Sequence, residues 1–459
     1  MIIRIFLYTT ICLFFFGVAS CKKGEMPTVK VDNELIPPSD DPGDPVINTA
    51  SIEGYADRMS YFPGDEVQLK VSCHEDSIMS FSLYRFGADQ EILLREDAIP
   101  VQRQDYFKYS YSFGCDWSTT HAFQLPNNLT SGLYAAVVKN QAGNTDYITF
   151  VVKANPSAPR IPIVVVASTN TWQAYNNWSG ASFYRYNLGD LDSEGDGIRH
   201  SVIVSFNRPN KVDSPFGEKG HLVNAEVYLL AWLENNGIAY ELISDEELHS
   251  DASILDDRKA VLLHAHPEYY TAEMLDRLET YNEAGGNIMY LGANGLYWKV
   301  GLSDDRQIEC RKDGDSHRFA EGSGGLWSEK GRSPAKLIGS HYSSSGYGTY
   351  HPYQTKDHDH WVFEGTGIAN DALFGTVSLN GGAASGHETD KRTSDTPSDF
   401  HLLAKGTNPD NGGAELLIRE STGRGLVFSV GSITYTGALS VDSTIHQITL
   451  NVLNRCLEE

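Results

Sequence analysis

The sequence predicts an α/β parallel-sheet domain, residues 160–459, preceded by an immunoglobulin-like β-sandwich domain, residues 47–153. Three observations carry this prediction. Residues 161–167 (Ile-Pro-Ile-Val-Val-Val-Ala) are a nearly continuous apolar run, as a strand covered on both faces requires. Residues 260–294 read as strand, loop, helix and strand, the order of a βαβ unit. Residues 47–153 instead hold short alternating runs, separated by turn residues such as Pro63-Gly64 and Asn127-Asn128, with no helical period.

The chain has 459 residues, too many for one ordinary domain, and 41% hydrophobic residues, enough for buried cores. Lys and Arg total 36 against 60 Asp and Glu, a formal charge of −24. That balance argues against nucleic acid or an anionic membrane surface as a partner. The sequence opens Met1-Ile2-Ile3-Arg4, continues through an apolar run and reaches Val18-Ala19-Ser20-Cys21. A basic start, a short apolar stretch and small residues make residues 1–20 a secretory signal, too short to span a membrane. The last four residues resemble a bacterial lipobox with Cys21 as the lipidated first residue; an ordinary signal peptide is the alternative. The lipobox reading predicts a lipid-anchored protein of the bacterial cell envelope, meeting the membrane through its anchor. Residues 21–46, rich in Pro and Asp, would be a flexible tether. In an oxidising compartment Cys73 can pair with Cys115 and Cys310 with Cys456, or all four can stay buried thiols.

Sandwich strands are expected at 66–71, 79–85, 107–113, 132–139 and 146–153, and Asn155-Pro156-Ser157-Ala158-Pro159 is the linker. In the α/β part, Val223, Val227 and Leu230 form one stripe of a helix over 221–236 that stops at Gly237. A strand at 239–243 comes next. The βαβ unit then runs from a strand at 260–263 through His264-Ala265-His266-Pro267-Glu268-Tyr269-Tyr270. Its helix has Thr271 as N-cap, Met274, Leu275 and Leu278 at helical spacing, and Gly285 as its stop. A strand at 287–291 leads to Asn294. The Gly- and Ser-rich residues 301–423, with scattered strands, are expected to form active-site walls, and a strand at 425–430 with a helix at 445–456 closes the chain. If the two βαβ strands are parallel, His264, His266, Glu268 and Asn294 fall at the carboxyl edge, where open α/β sheets bind ligands.

Residues 168–184 follow the carboxyl end of another buried strand, so their tyrosines can meet His266 and Glu268. Phenolate and carboxylate are hard oxygen donors and suit a hard cation such as Fe(III). Such a cation is also what ionises a tyrosine near neutral pH, against a free value of about 10. An aromatic loop that packs on itself or stacks a sugar is the alternative.

Several motifs resemble the large (β) subunit of N,N-dimethylformamidase. They are Trp172-Gln173-Ala174-Tyr175-Asn176-Asn177-Trp178 with Ser182-Phe183-Tyr184, His266-Pro267-Glu268-Tyr269, Leu291-Gly292-Ala293-Asn294 and Ser385-Gly386-His387-Glu388-Thr389-Asp390. The sandwich resembles that subunit at Phe62-Pro63-Gly64 and Ser131-Gly132-Leu133-Tyr134. The resemblance implies a glutamine-amidotransferase-like α/β fold without its cysteine nucleophile. It also implies a mononuclear iron held by two tyrosines and a glutamate, here Tyr175, Tyr184 and Glu268, with Tyr186 as the other choice for the second tyrosine. His266, Asn294 and Glu388 match the family's catalytic and supporting positions. Ser179-Gly180 departs from the usual Gly-Gly. A small amide substrate is implied, as is a small subunit; a second copy of this chain is another possible partner.

Two further motifs attract attention. Residues 190–197 resemble the front of a calcium loop, but the twelfth position is Ser201 rather than Glu, which favours a solvated acidic turn. His358-Asp359-His360, near His351, would put two imidazoles on one side of a strand without a third donor, which favours surface histidines. The sequence therefore leaves three readings in competition. One is an envelope-anchored, iron-dependent amide hydrolase. Another is a glycan- or peptide-binding surface lipoprotein stacking its ligand on Trp172, Tyr175, Trp178 and Tyr184. The third is a degenerate, inactive relative kept as a scaffold.

Overall fold

The structure, a computed structural model, describes residues 42–184, 199–216 and 220–458. The expected signal, Cys21 and most of the tether lie outside them, as do Tyr186 and the acidic turn at 190–197. No helix among the described residues is long and apolar enough to cross a membrane.

The N-terminal part is built from two facing sheets. Glu53–Ala56, Glu66–Ser72 and His121–Gln124 form one; Ser60–Tyr61, Thr145–Val152, Gly132–Asn140, Ile78–Phe86 and Gln90–Pro100 form the other. Alternate residues point into one core, among them Val67, Leu69, Phe81, Leu83, Tyr134, Ala136 and Phe150. Two expectations change. The run at 107–113 is a short strand, Tyr106–Phe107, followed by one helical turn, Ser110–Phe113. Ser110 Oγ accepts from the Phe107 amide at 3.0 Å, the kind of local bond with which serine turns a chain out of a ladder. The short strands Glu53–Ala56, Ser60–Tyr61 and His121–Gln124 are absent from the expected set, as is Gln90–Pro100, whose charged, exposed residues hide the pattern; it is a sheet edge, where charge opposes further pairing.

The second part centres on a nine-stranded sheet. Its order is Glu241–Ser244, Ile163–Ala167, Ala260–Ala265, Asn287–Gly292, Val427–Ser429, Glu415–Arg419, Phe400–Gly406, Tyr353–Thr355 and Leu373–Phe374. The first five strands are parallel and the last four add antiparallel. The sheet is thus mixed, and residues 301–423 do more than wall a site: their strands complete it. Helices Val223–Asn235 and Ser443–Glu458 cover one face through Leu229, Leu230, Trp232, Ile448 and Val452, packed with Leu262, Met289 and Phe428. Helix Ala272–Glu283 covers the other through Met274, Leu275 and Leu278, packed with Val261, Leu263 and Ile288. Thr271 Oγ1 caps that helix by accepting from the Met274 amide, and Gly285 ends the turn beyond it at φ 101°.

The two parts share a core. Phe86, Leu133, Ala135 and Val151 point away from the sandwich interior and join the cluster around Val165, Leu230 and Leu242. Polar ties reinforce the seam: Arg85 pairs with Glu234 at 2.7 Å, and Ser131 Oγ accepts from the Leu242 amide at 2.8 Å. Cys73, Cys115, Cys310 and Cys456 are all buried and none is in a disulfide, so neither anticipated pairing forms. The Cys73 thiol donates to Ser51 O at 2.9 Å, and Cys310 and Cys456 pack within the core of the second part.

Acidic residues also meet at this seam. Asp146 Oδ2 accepts from the Gly54 amide at 2.8 Å, with Asp213 and Glu53 nearby. Burial pushes the Asp146 carboxyl up to about 7, and Asp213 moves in the same direction for the same reason. In the unfolded chain Asp146 ionises near the ordinary value of about 4. The folded state therefore binds the extra proton, and its advantage is full below pH 4 and lost as pH rises through 7. Asp146→Asn keeps an acceptor for Gly54 without the charge. It should stabilise the protein more at pH 8 than at pH 5, measured by urea denaturation at both pH values; equal effects would show that Asp146 is not ionising in this window.

Candidate active site

The site grows from the carboxyl ends of three neighbouring parallel strands. After Ile163–Ala167 the chain enters helix Thr169–Tyr175. Glu226, fully buried, anchors its start by accepting from the Ser168 amide and the Trp172 indole, both at 2.9 Å. Tyr175 ends this helix. Its chain turns at Asn176 and Ser179, the latter at φ 57°, and returns so that the Phe183 amide donates to Ala174 O at 3.0 Å. That return brings Tyr184 beside Tyr175, with ring centroids 4.3 Å apart. Arg208, 1% exposed, braces the turn by donating to the carbonyls of Trp178 at 2.7 Å and Asn176 at 2.8 Å.

Strand Ala260–Ala265 delivers His266 and Glu268 through Ala265, which adopts φ 54°. The Glu268 amide donates to Thr171 Oγ1 at 3.1 Å, and the Glu268 carbonyl accepts from the Tyr297 and Trp298 amides at 3.0 Å. Strand Asn287–Gly292 delivers Asn294, at φ 52°, whose amide donates to Asp390 Oδ1 at 2.8 Å. Asp390 also accepts from the Tyr290 hydroxyl at 2.7 Å, and burial pushes its carboxyl up to about 6. Asp390 lies two residues from Glu388, so this contact draws the Glu388 loop over the sheet edge. His387 in that loop has φ 67°. Left-handed backbone at Ala265, Asn294 and His387, none of them glycine, costs roughly 1–3 kcal/mol each and gathers at functional sites.

These elements bring Tyr175, Tyr184 and Glu268 together. Tyr175 Oη donates to Glu268 Oε2 at 3.1 Å; Tyr184 Oη donates to Oε1 at 2.7 Å and Oε2 at 2.8 Å. Trp298 Nε1 donates to Oε1 at 3.1 Å. His266 Nε2 lies 3.3 Å from Glu268 Oε2, 3.2 Å from Glu388 Oε2 and 3.2 Å from Asn294 Nδ2. Two carboxylates favour a proton on Nε2, whereas the amide nitrogen favours a lone pair there. A half-turn of the Asn294 amide, whose buried Oδ1 has no protein donor, settles this for the N–H form.

The donor set passes a chemical test for a hard cation. Two phenols share protons with one buried carboxylate, so a single highly charged ion could take the place of those protons. Without one, Tyr184 holds its proton tightly: burial first, then the charge of Glu268, pushes its phenol well above the usual range. The Lys312 ammonium lies over the Tyr184 ring, 3.6 Å from its centroid.

Several neighbours escaped the sequence analysis as functional residues. His221 lies 5.2 Å from His266 and 5.0 Å from His387 between ring centroids. Burial holds both His221 and His387 below the ordinary imidazole range, so they stay neutral near pH 7. Tyr269 and Trp298 join the Glu268 network, and Lys312 arrives from a distant hairpin. Tyr269 stands in a quoted motif, but nothing in the spacing distinguishes it from Tyr270. Lys312 and His221 carry no local signal at all.

Other candidates are placed elsewhere. Residues 358–360 form a turn rather than a strand; His360 accepts from the Val362 amide, starting the short helix Trp361–Phe363, and its Nε2 lies 3.4 Å from Glu420. Among the described residues no trio of His, Cys, Asp and Glu is arranged to hold a metal. Trp172 and Trp178 are 0% and 5% exposed. They cannot be the stacking surfaces of a glycan site; Trp178 is instead tied to Glu53 through its indole at 2.9 Å.

Comparison with known proteins bears on this constellation. A family model described as N,N-dimethylformamidase beta subunit-like, C-terminal, matches residues 82–449. The N,N-dimethylformamidase beta subunit of Alcaligenes sp is 28% identical over 424 residues, covering 75% of this chain and 55% of that protein. The same subunit of Paracoccus aminophilus is 28% identical over 422 residues, with the same coverages. The chain thus spans about half the length of these curated relatives. A solved structure of murine CRIg matches 25% of this chain at 13% identity with a TM-score of 0.14, too low to argue a fold. The family match spans both the sandwich's later strands and every residue of the Tyr175–Tyr184–Glu268 network, and this chain belongs to the N,N-dimethylformamidase beta subunit-like family.

Proposed function

We propose that the protein is a metal-dependent hydrolase of amide C–N bonds, with a small amide as substrate and ferric iron as the metal. The observation that carries this reading is the convergence of two phenol oxygens on the buried Glu268 carboxylate. Tyr175, Tyr184 and Glu268 would hold the ion, which when bound supplies Lewis acidity toward an amide carbonyl. The remaining steps belong to the protein. Glu388, 5% exposed and next to His266, takes a proton from the attacking water and returns it to the leaving nitrogen. His266 Nε2–H, fixed between two carboxylates, or the Asn294 amide donates to the oxyanion that develops on the carbonyl oxygen. Burial of this edge lowers the local dielectric and strengthens both interactions.

The relatives' printed name, beta subunit, supports a partner subunit for this chain as well, or a second copy of it. The proposed location is the bacterial cell envelope through lipidated Cys21, supported by the sequence of residues 1–21 and checked by labelled palmitate incorporation in wild type and Cys21→Ser. A proposed glutamine-amidotransferase-like arrangement is supported by the parallel order of the strands that carry the site. The sandwich is likewise proposed to be immunoglobulin-like, on its two facing sheets.

Two variants test the reading. Glu268→Ala should release the iron, read as loss of stoichiometric metal after purification, while far-UV circular dichroism stays native; retained metal would remove Glu268 from the ligand set. Glu388→Gln should keep metal and fold yet lose roughly 10²–10⁴ in turnover, the usual range for a general acid–base group. Release of amine or ammonia from a panel of small amides supplies the assay, and unchanged turnover in Glu388→Gln would clear that residue.

A further inference from the structure

Tyr269, Tyr184 and Glu268 form a directed chain of hydrogen bonds. Tyr184 Oη donates to the Glu268 carboxylate, and Tyr269 Oη donates to Tyr184 Oη at 2.7 Å. A phenol has one proton to give and lone pairs to receive, so Tyr184 passes its own proton toward Glu268 while accepting another from Tyr269. Tyr269 is held for this. It is fully buried, its strand Tyr269–Tyr270 pairs with Trp298–Leu302, and its carbonyl accepts from Asn170 Nδ2 at 3.2 Å. Its ring rests on Phe183, with centroids 5.7 Å apart.

We infer that Tyr269 is a positioning residue of the metal site: its hydroxyl stays as the hydrogen-bond donor on the Tyr184 oxygen once Tyr184 has exchanged its proton for a ferric ion. The inference rests on the metal reading above. With the ion in place the Tyr269 hydroxyl would face an oxygen that carries more negative charge, which makes the bond shorter and stronger. A donor at a ligand oxygen fixes the direction of that oxygen and draws electron density from it. Moving an electron from the phenolate to the ferric ion then needs more energy, so the donor sets the colour of the site as well as its geometry. A tyrosine that served only to fill space would leave the colour untouched when its hydroxyl is removed.

The test uses the full-length protein loaded with ferric iron, with metal content and visible absorption recorded for wild type, Tyr184→Phe and Tyr269→Phe. Tyr184→Phe should lose much of the band, assigning it to that phenolate. Tyr269→Phe should bind as much iron as wild type but absorb at longer wavelength. An unmoved band at equal iron content overturns the inference. If Tyr269→Phe fails to fold or to bind iron, the wild-type protein decides. Its phenolate C–O stretch, seen by resonance Raman, should shift between H2O and D2O because the donated proton exchanges. No shift overturns the inference. Wild-type protein that takes up no ferric iron and stays colourless would overturn the metal reading itself, and the role of Tyr269 with it; colour in wild type separates the two failures.

Discussion

The carboxylate of Glu268 has no contact with water, and the carboxyl edge of the sheet is arranged around that constraint. A buried carboxylate costs several kcal/mol unless donors surround it. Tyr175 and Tyr184, at the two ends of one loop, and Trp298 from another strand supply those donors, and Thr171 and Trp298 fix the backbone on either side. Each segment is therefore held at the edge by the same group. Remove the charge at its centre and the phenols, the indole and His266 lose their shared partner at once.

The rest of the fold supports that cluster from behind. The loop between Tyr175 and Tyr184 has little regular structure of its own, yet its carbonyls are gathered by the buried Arg208 guanidinium and its Trp178 indole is held by Glu53 of the sandwich. Burial pulls the Arg208 guanidinium down to about 9, a measure of how little water reaches it. Because the sandwich sheet contributes Phe86, Leu133 and Val151 to the core of the second part, the two halves have no separate interiors at the seam. The sandwich thus braces the aromatic loop rather than standing as a detached module.

Electrostatics gives the edge its character. Glu268, Glu388 and Asp390 gather acidity there, while burial keeps His221 and His387 neutral. Burial and the neighbouring Glu268 carboxylate make the Tyr184 phenol hold its proton tightly.

Local pattern carried much of the architecture: the apolar run at 161–167 and the helix stripe Met274, Leu275, Leu278 follow from burial and period alone. The βαβ unit places His266, Glu268 and Asn294 at one edge because parallel strands end on the same side. Motif resemblance, not spacing, singled out Tyr175, Tyr184 and Glu388, since 93 residues separate Tyr175 from Glu268 and no local period spans that distance. Polar segments were the least legible. The edge strand Gln90–Pro100 has no buried face to impose alternation, and the helical turn Ser110–Phe113 depends on one serine hydroxyl. Scattered strands were expected within residues 301–423, but not that Phe400–Gly406 and Glu415–Arg419 extend the central sheet antiparallel, because the choice of strand partner depends on the tertiary fold. The sequence by itself determined which segments are buried and where the parallel strands end, because burial and period act locally. Only the tertiary structure decided that Tyr269 donates to Tyr184, that Lys312 lies over its ring and that His221 meets His387, because contacts between distant segments depend on how loops return over the sheet edge.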